Sequence, residues 1–236
     1  MTEPLDPALG RARALTRRGL GISTVALLAF AAACGLALGF TPVEARQGLA
    51  QKIFYLHVPA AWCALLAFSL VGIASALYLW LHDRRLDLFA EASAEVGVMF
   101  SVVMLTTGPI WAKPIWGTWW TWDARLTLTL FLFFLFVGYL ALRAAVHDPD
   151  ERARFSAVLG IMGLVLVPFI HLSVYLFRTL HPQPVVLKPS APSLPWEMLR
   201  TLLVSVAAFM LLYVGLVTAR YGLALAQRAR ESGDAA

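Results

Sequence analysis

Six long apolar runs, separated by polar interruptions, organise the chain. They cover approximately Leu20 to Phe40, Val58 to Leu81, Leu88 to Thr107, Leu126 to Leu142, Phe155 to Phe177 and Leu199 to Ala219. Each approaches or exceeds the roughly 20 apolar residues with which a helix crosses the hydrocarbon of a bilayer. The pattern therefore predicts an all-α membrane protein, a bundle of six transmembrane helices. Three connections are short: a polar-aromatic loop from Gln47 to His57, a charged turn from His82 to Asp87, and a polar loop from His147 to Arg154 around Asp148-Pro149-Asp150. The longest, Arg178 to Met198, carries Pro182, Pro184, Pro189, Pro192 and Pro195, which exclude a regular helix and favour an extended segment lying on the surface. The expected organisation is a cytoplasmic N-terminal segment over 1–19, one six-helix transmembrane domain over 20–219, and a cytoplasmic C-terminal tail over 220–236.

Composition agrees with this reading. The 236 residues are 60% hydrophobic and 14% charged, where a soluble domain carries about 25% charged residues. The formal net charge of +5 comes from basic residues at the ends of apolar runs, where they act as orientation signals, and no nucleic-acid partner is expected. Arg11, Arg13, Arg17, Arg18, Arg84, Arg85, Arg143, Arg152, Arg154, Arg220, Arg228 and Arg230 fall on the side of the termini. The opposite side has only Arg46, Lys52, Lys113, Arg125, Arg178, Lys188 and Arg200. The excess places the termini in the cytoplasm. It also puts the first, third and fifth loops together on the outer face.

Some polar residues inside or beside the spans have ordinary explanations. Cys34 and Cys63 show neither C-x-x-C nor metal-ligand spacing and read as small apolar residues. Arg17-Arg18 followed by Ala31-Ala32-Ala33-Cys34 is superficially like an export signal with a lipoprotein cleavage site. Leucine is missing where such a site needs it, and the run is long enough to span. Glu91 and Glu95, one helical turn apart in the third run, either snorkel to the cytoplasmic boundary or form a polar path. His171, in the fifth run near Pro168, reads as an interior hydrogen-bonded side chain or a ligand.

The chemistry gathers on the outer loops. Gly108 to Arg125 reads as one loop between two spans and holds Trp111, Trp116, Trp119, Trp120 and Trp122, closed by Asp123 and Arg125. An interfacial belt would spread its tryptophans over many helix ends, whereas this crowding makes an aromatic platform for a flat ligand or a partner protein. His57 precedes Val58-Pro59 at the start of the second run, and His181 stands in Leu180-His181-Pro182-Gln183-Pro184. Each is oriented by a nearby proline, and both belong to the same face. A pair of neutral imidazoles beside an aromatic wall suits the two axial positions of a haem iron. Arg46, Lys52, Arg125, Arg178 and Lys188 are the candidate cations for its carboxylates.

Trp116-Gly117-Thr118-Trp119-Trp120-Thr121-Trp122-Asp123-Ala124-Arg125-Leu126-Thr127 resembles the "WWD" signature of the haem-handling proteins of cytochrome c maturation. Tyr55-Leu56-His57-Val58-Pro59-Ala60-Ala61 and Thr179-Leu180-His181 are similar to the flanking histidine motifs of its haem exporter protein C (CcmC) branch. The resemblance runs from about Gln47 to Gln183. It implies that haem b is held at the periplasmic face of a bacterial inner membrane, with His57 and His181 as axial ligands of the iron. Trp116, Trp119, Trp120, Trp122 and Asp123, with Arg125 beside them, would form the haem and chaperone platform. It further implies delivery of haem to a CcmE-like chaperone for c-type cytochrome biogenesis, beside a CcmD-like small membrane subunit and CcmA/CcmB-like transporter subunits. His171 stands where the family has a histidine before its last outer loop. The chain departs from the pattern just before His181, with Leu176-Phe177 where a tryptophan pair is expected and Arg178 where a neutral polar residue is usual. With no nucleophile-base pair and no phosphate loop in the sequence, a delivery component rather than an enzyme is the leading expectation. The alternatives are a synthetase-type enzyme that attaches haem directly to apocytochrome, and a proton- or ion-coupled transporter using Glu91 and Glu95.

Overall fold

The computed structural model describes residues 7–234, so the outermost parts of the two expected flanks, 1–6 and 235–236, lie outside the described residues. Six helices follow one another: α1 (Pro7–Gly39), α2 (Phe54–Leu81), α3 (Arg84–Trp116), α4 (Ala124–Ala145), α5 (Pro149–Leu176) and α6 (Trp196–Asp234), with a 3₁₀ turn, Leu49–Ile53, leading into α2. All six are long and apolar enough to cross a membrane, and no strand occurs among the described residues. This is a multi-pass, all-α membrane bundle.

Local chemistry sets the helix ends. Asp83, Asp123 and Asp148 each cap the helix that follows by accepting backbone N–H bonds: from Arg85 for α3, Leu126 for α4, and Asp150 and Glu151 for α5. Pro149 then occupies the first position of α5, where its missing N–H costs nothing. The helices outrun the apolar runs. α1 begins at Pro7 and α6 ends at Asp234, inside the segments read as flanks.

α2 is the centre of the bundle, packing on α3, α5 and α6, while α1 lies chiefly along α6 and α4 along α5. Small residues allow these approaches. A Cβ on Gly19 would come within 2.3 Å of the Ala219 backbone N, and one on Gly72 within 2.3 Å of Leu164 Cβ, so α1 meets α6 and α2 meets α5 nearly backbone to backbone. Phe68 of α2 and Phe136 of α4 stack with centroids 3.8 Å apart in the core.

At the end of the bundle away from the tryptophans, buried Arg143 of α4 donates to Asp87 (2.6 and 3.2 Å) and to Glu91 (2.8 Å) of α3. Glu95 pairs with Arg220 of α6. Glu91 and Glu95 are thus members of interhelical ion pairs, a third possibility beside the snorkelling and the polar path expected of them. Buried Cys63 packs in the core with its thiol towards Met210 Sδ, and Cys34 is half-buried.

Candidate functional site

The tryptophan-rich stretch is not the single loop expected from its place between two apolar runs. α3 continues through Pro109 and Pro114 to Trp116 and stops at Gly117, whose φ of 75° is the left-handed conformation that favours glycine. Each proline removes one backbone donor, and the neighbouring packing tolerates the loss, as in other membrane helices. Trp111 and Trp116 therefore stand on a helix. Only 117–123 form the loop proper, with Trp119, Trp120 and Trp122. Likewise His57 does not precede α2 but lies in its first turn, and Pro59 falls in the second.

His57 is half-buried against the C-terminal part of α3. Its Nδ1 lies 3.1 Å from Thr107 Oγ1, and its ring meets Trp111 edge-on with centroids 5.8 Å apart. A Cβ on Gly108 would stand 3.1 Å from His57 Cε1, so the missing side chain makes room for the imidazole. Trp111 in turn donates its Nε1–H to Gln47 Oε1 (3.1 Å), tying the first loop to α3.

His181 is reached from the opposite end of the sequence. Its ring stands edge-on to Trp116 at 6.4 Å, and its Nδ1 is 3.0 Å from the Pro182 carbonyl. A carbonyl only accepts, so Nδ1 carries the proton and Nε2 keeps its lone pair. The backbone N–H of His181 donates to Thr179 Oγ1 (3.1 Å), and the Thr179 hydroxyl donates to Asp123 Oδ2 (2.7 Å). That oxygen also accepts from Thr121 (3.1 Å), while Oδ1 caps α4. Asp123 is thus a brace between the tryptophan loop, α4 and the fifth loop. Burial, then the positive charge of Arg125, push His181 down to about 4, so at neutral pH it is a neutral imidazole.

Arg125, in the first turn of α4, lies within electrostatic range of both rings, and His57 and His181 lie within range of each other. Its Nη1 is buried without a hydrogen-bond partner, a costly state for a cationic donor unless an anion arrives. The other candidate cations are placed differently. Lys52 donates to the carbonyls of Thr41 and Pro42, Lys188 donates to Ser193, and Arg46 and Arg178 are exposed. Trp119 and Trp122 are 57% and 76% exposed. Trp120 packs edge-on to Trp122 at 5.9 Å, with its Nε1 buried and unpaired. His171 is half-buried in α5 with its ring 6.4 Å from that of Tyr175.

Thr107, Gly108 and Gln47 are not distinguished by sequence, and Thr179 stands there only as part of a histidine motif. Threonine and glycine are common in membrane helices, and only the fold shows which hydroxyl meets an imidazole. Among the described residues no three metal-ligating side chains come together. Two imidazoles, a buried cationic donor and rigid aromatic edges suit a planar, anionic ligand whose metal brings its own equatorial ligands.

The chain resembles proteins of one kind along most of its length. It is 38% identical over 202 residues to the heme exporter protein C of Haemophilus influenzae, covering 86% of this chain and 81% of that protein. It is 40% identical over 199 residues to that of Bradyrhizobium diazoefficiens, covering 84% and 74%. To that of Escherichia coli K12 it is 41% identical over 143 residues, 61% of this chain and 58% of the relative. With the family model described as "CcmC: Heme exporter protein C" matching residues 11–235, this chain belongs to the CcmC family.

Proposed function

We propose that this protein binds haem, as haem b, at the periplasmic face of the bacterial inner membrane and hands it to a CcmE-like haem chaperone during c-type cytochrome biogenesis. The observation that carries the proposal is that Trp111 and Trp116, on one helix, meet the rings of His57 and His181 edge-on, with the buried, unpaired Nη1 of Arg125 within electrostatic range of both. His57 and His181 serve as the axial ligands. Arg125 takes a propionate, an anion that fits its orphaned N–H. Trp116, held against His181, walls the haem, and the exposed Trp119 and Trp122, with Trp120 behind them, offer the apolar surface on which haem and chaperone meet. Asp123 holds this surface in place through its hydrogen bonds. When bound, haem would supply an iron for the two imidazole nitrogens and a vinyl group for the acceptor.

The excess of Lys and Arg on the side of the termini supports a cytoplasmic location for both, with the three site loops outside. CcmD-like and CcmA/CcmB-like subunits are the expected membrane partners, and any energy from ATP comes from them. The pairing of Glu91 with Arg143 and of Glu95 with Arg220 supports a structural role for these carboxylates rather than an ion path.

The decisive test supplies the haem-loaded protein with purified chaperone and, separately, with apocytochrome. The expected result is covalent haem on the chaperone alone. Labelling of apocytochrome without chaperone would instead support the synthetase reading, and labelling of neither would overturn delivery.

A further inference from the structure

The Thr107 hydroxyl stands between two groups whose chemistry fixes the direction of its hydrogen bonds. It lies 2.7 Å from the Val103 carbonyl one turn back along α3, with the Met104 carbonyl at 3.4 Å. Carbonyl oxygens only accept, and a hydroxyl has a single proton, so Thr107 spends that proton on its own helix. Towards His57 Nδ1, 3.1 Å away, Thr107 can then only accept. The proton on the imidazole therefore sits on Nδ1, and Nε2 keeps the lone pair with which it can bind a metal. Gly108 lies against Cε1 and Trp111 meets the ring edge-on, which restricts its rotation.

We propose that Thr107 is a positioning residue that presets His57 as an Nε2 ligand, fixing both the tautomer and the ring orientation before haem arrives. The inference rests on the reading of His57 as a haem ligand. It also gives the two imidazoles the same protonation through different means, a side-chain hydroxyl for His57 and the Pro182 carbonyl for His181. Only the first can be removed by substitution. Valine at 107 keeps the shape but replaces the acceptor with a methyl group. The Nδ1–H of His57 is then left without its partner, and the ring turns or moves its proton to Nε2, where it blocks ligation.

The test titrates haem into the detergent-solubilised full-length protein and follows the visible spectrum of the parent, Thr107→Val, Thr107→Ser and, as reference, His57→Ala. Thr107→Val should weaken haem binding by about 10–100-fold and lower the six-coordinate low-spin fraction, as loss of a ligand's outer partner does. Thr107→Ser, which keeps the hydroxyl, should return affinity and spectrum close to the parent. The inference is overturned if Thr107→Val binds haem with parental affinity and spectrum while His57→Ala does not. It is also overturned if serine is as damaging as valine, since packing rather than the hydroxyl would then matter. If His57→Ala itself leaves the spectrum unchanged, the ligand reading on which the inference rests is what fails.

Discussion

At the scale of single residues, the histidines were legible and their supports were not. His57 and His181 stand out in the sequence because prolines flank them in an otherwise apolar chain, and the structure brings them within electrostatic range of each other. Asp123 was legible as part of a tryptophan motif, but its work emerges only from the fold, because Thr179 reaches it from 56 positions away. This separates two effects by substitution. Asp123→Ala removes the α4 cap and should cost about 1 kcal/mol of stability, read as a lowered unfolding midpoint. Thr179→Val leaves the cap intact, so it should leave the midpoint near the parent's while weakening haem binding roughly tenfold or more, because the His181 loop loses its tether. A Thr179→Val protein with parental haem affinity would show that the brace does not position the ligand. Arg125 was one of five candidate outer cations by sequence, and its buried, unpaired Nη1 is what distinguishes it.

At the scale of elements, the helices were readable from apolar runs, but their ends were not. By sequence Gly108 to Arg125 reads as one loop, and its Pro109 and Pro114 carry the general penalty of proline inside a helix. The helix instead runs through both to Gly117, and Trp111 and Trp116 gain the rigidity of α3. The charged turns were equally ambiguous. Arg143 looked like an ordinary basic residue near the end of a span, yet its side chain is 3% exposed and shared between Asp87 and Glu91. Removing it strands two acidic groups against apolar surroundings. Arg143→Leu should therefore destabilise the bundle by about 3–5 kcal/mol, measurable as a lowered thermal midpoint in detergent. Combining it with Asp87→Asn and Glu91→Gln should recover a large part of the loss. A midpoint unchanged in Arg143→Leu would mean that the network carries no stability.

At the scale of the whole molecule, six spans connected in sequence necessarily put the first, third and fifth loops on one side. Hydropathy alone therefore grouped the two histidine loops with the tryptophans. What it could not supply is the packing order: α2 at the centre, with α3 and α5 against it, brings His57 of α2, Thr107 of α3 and the segment after α5 to one corner of the bundle. The central claim is that this corner grips one iron from two sides. The measurement that tests it most directly is the visible spectrum of the purified, haem-loaded protein beside those of His57→Ala and His181→Ala. The account predicts one haem per chain, six-coordinate and low-spin in the parent, with low-spin character weakened or altered in each variant. An unchanged low-spin spectrum in both variants would contradict it.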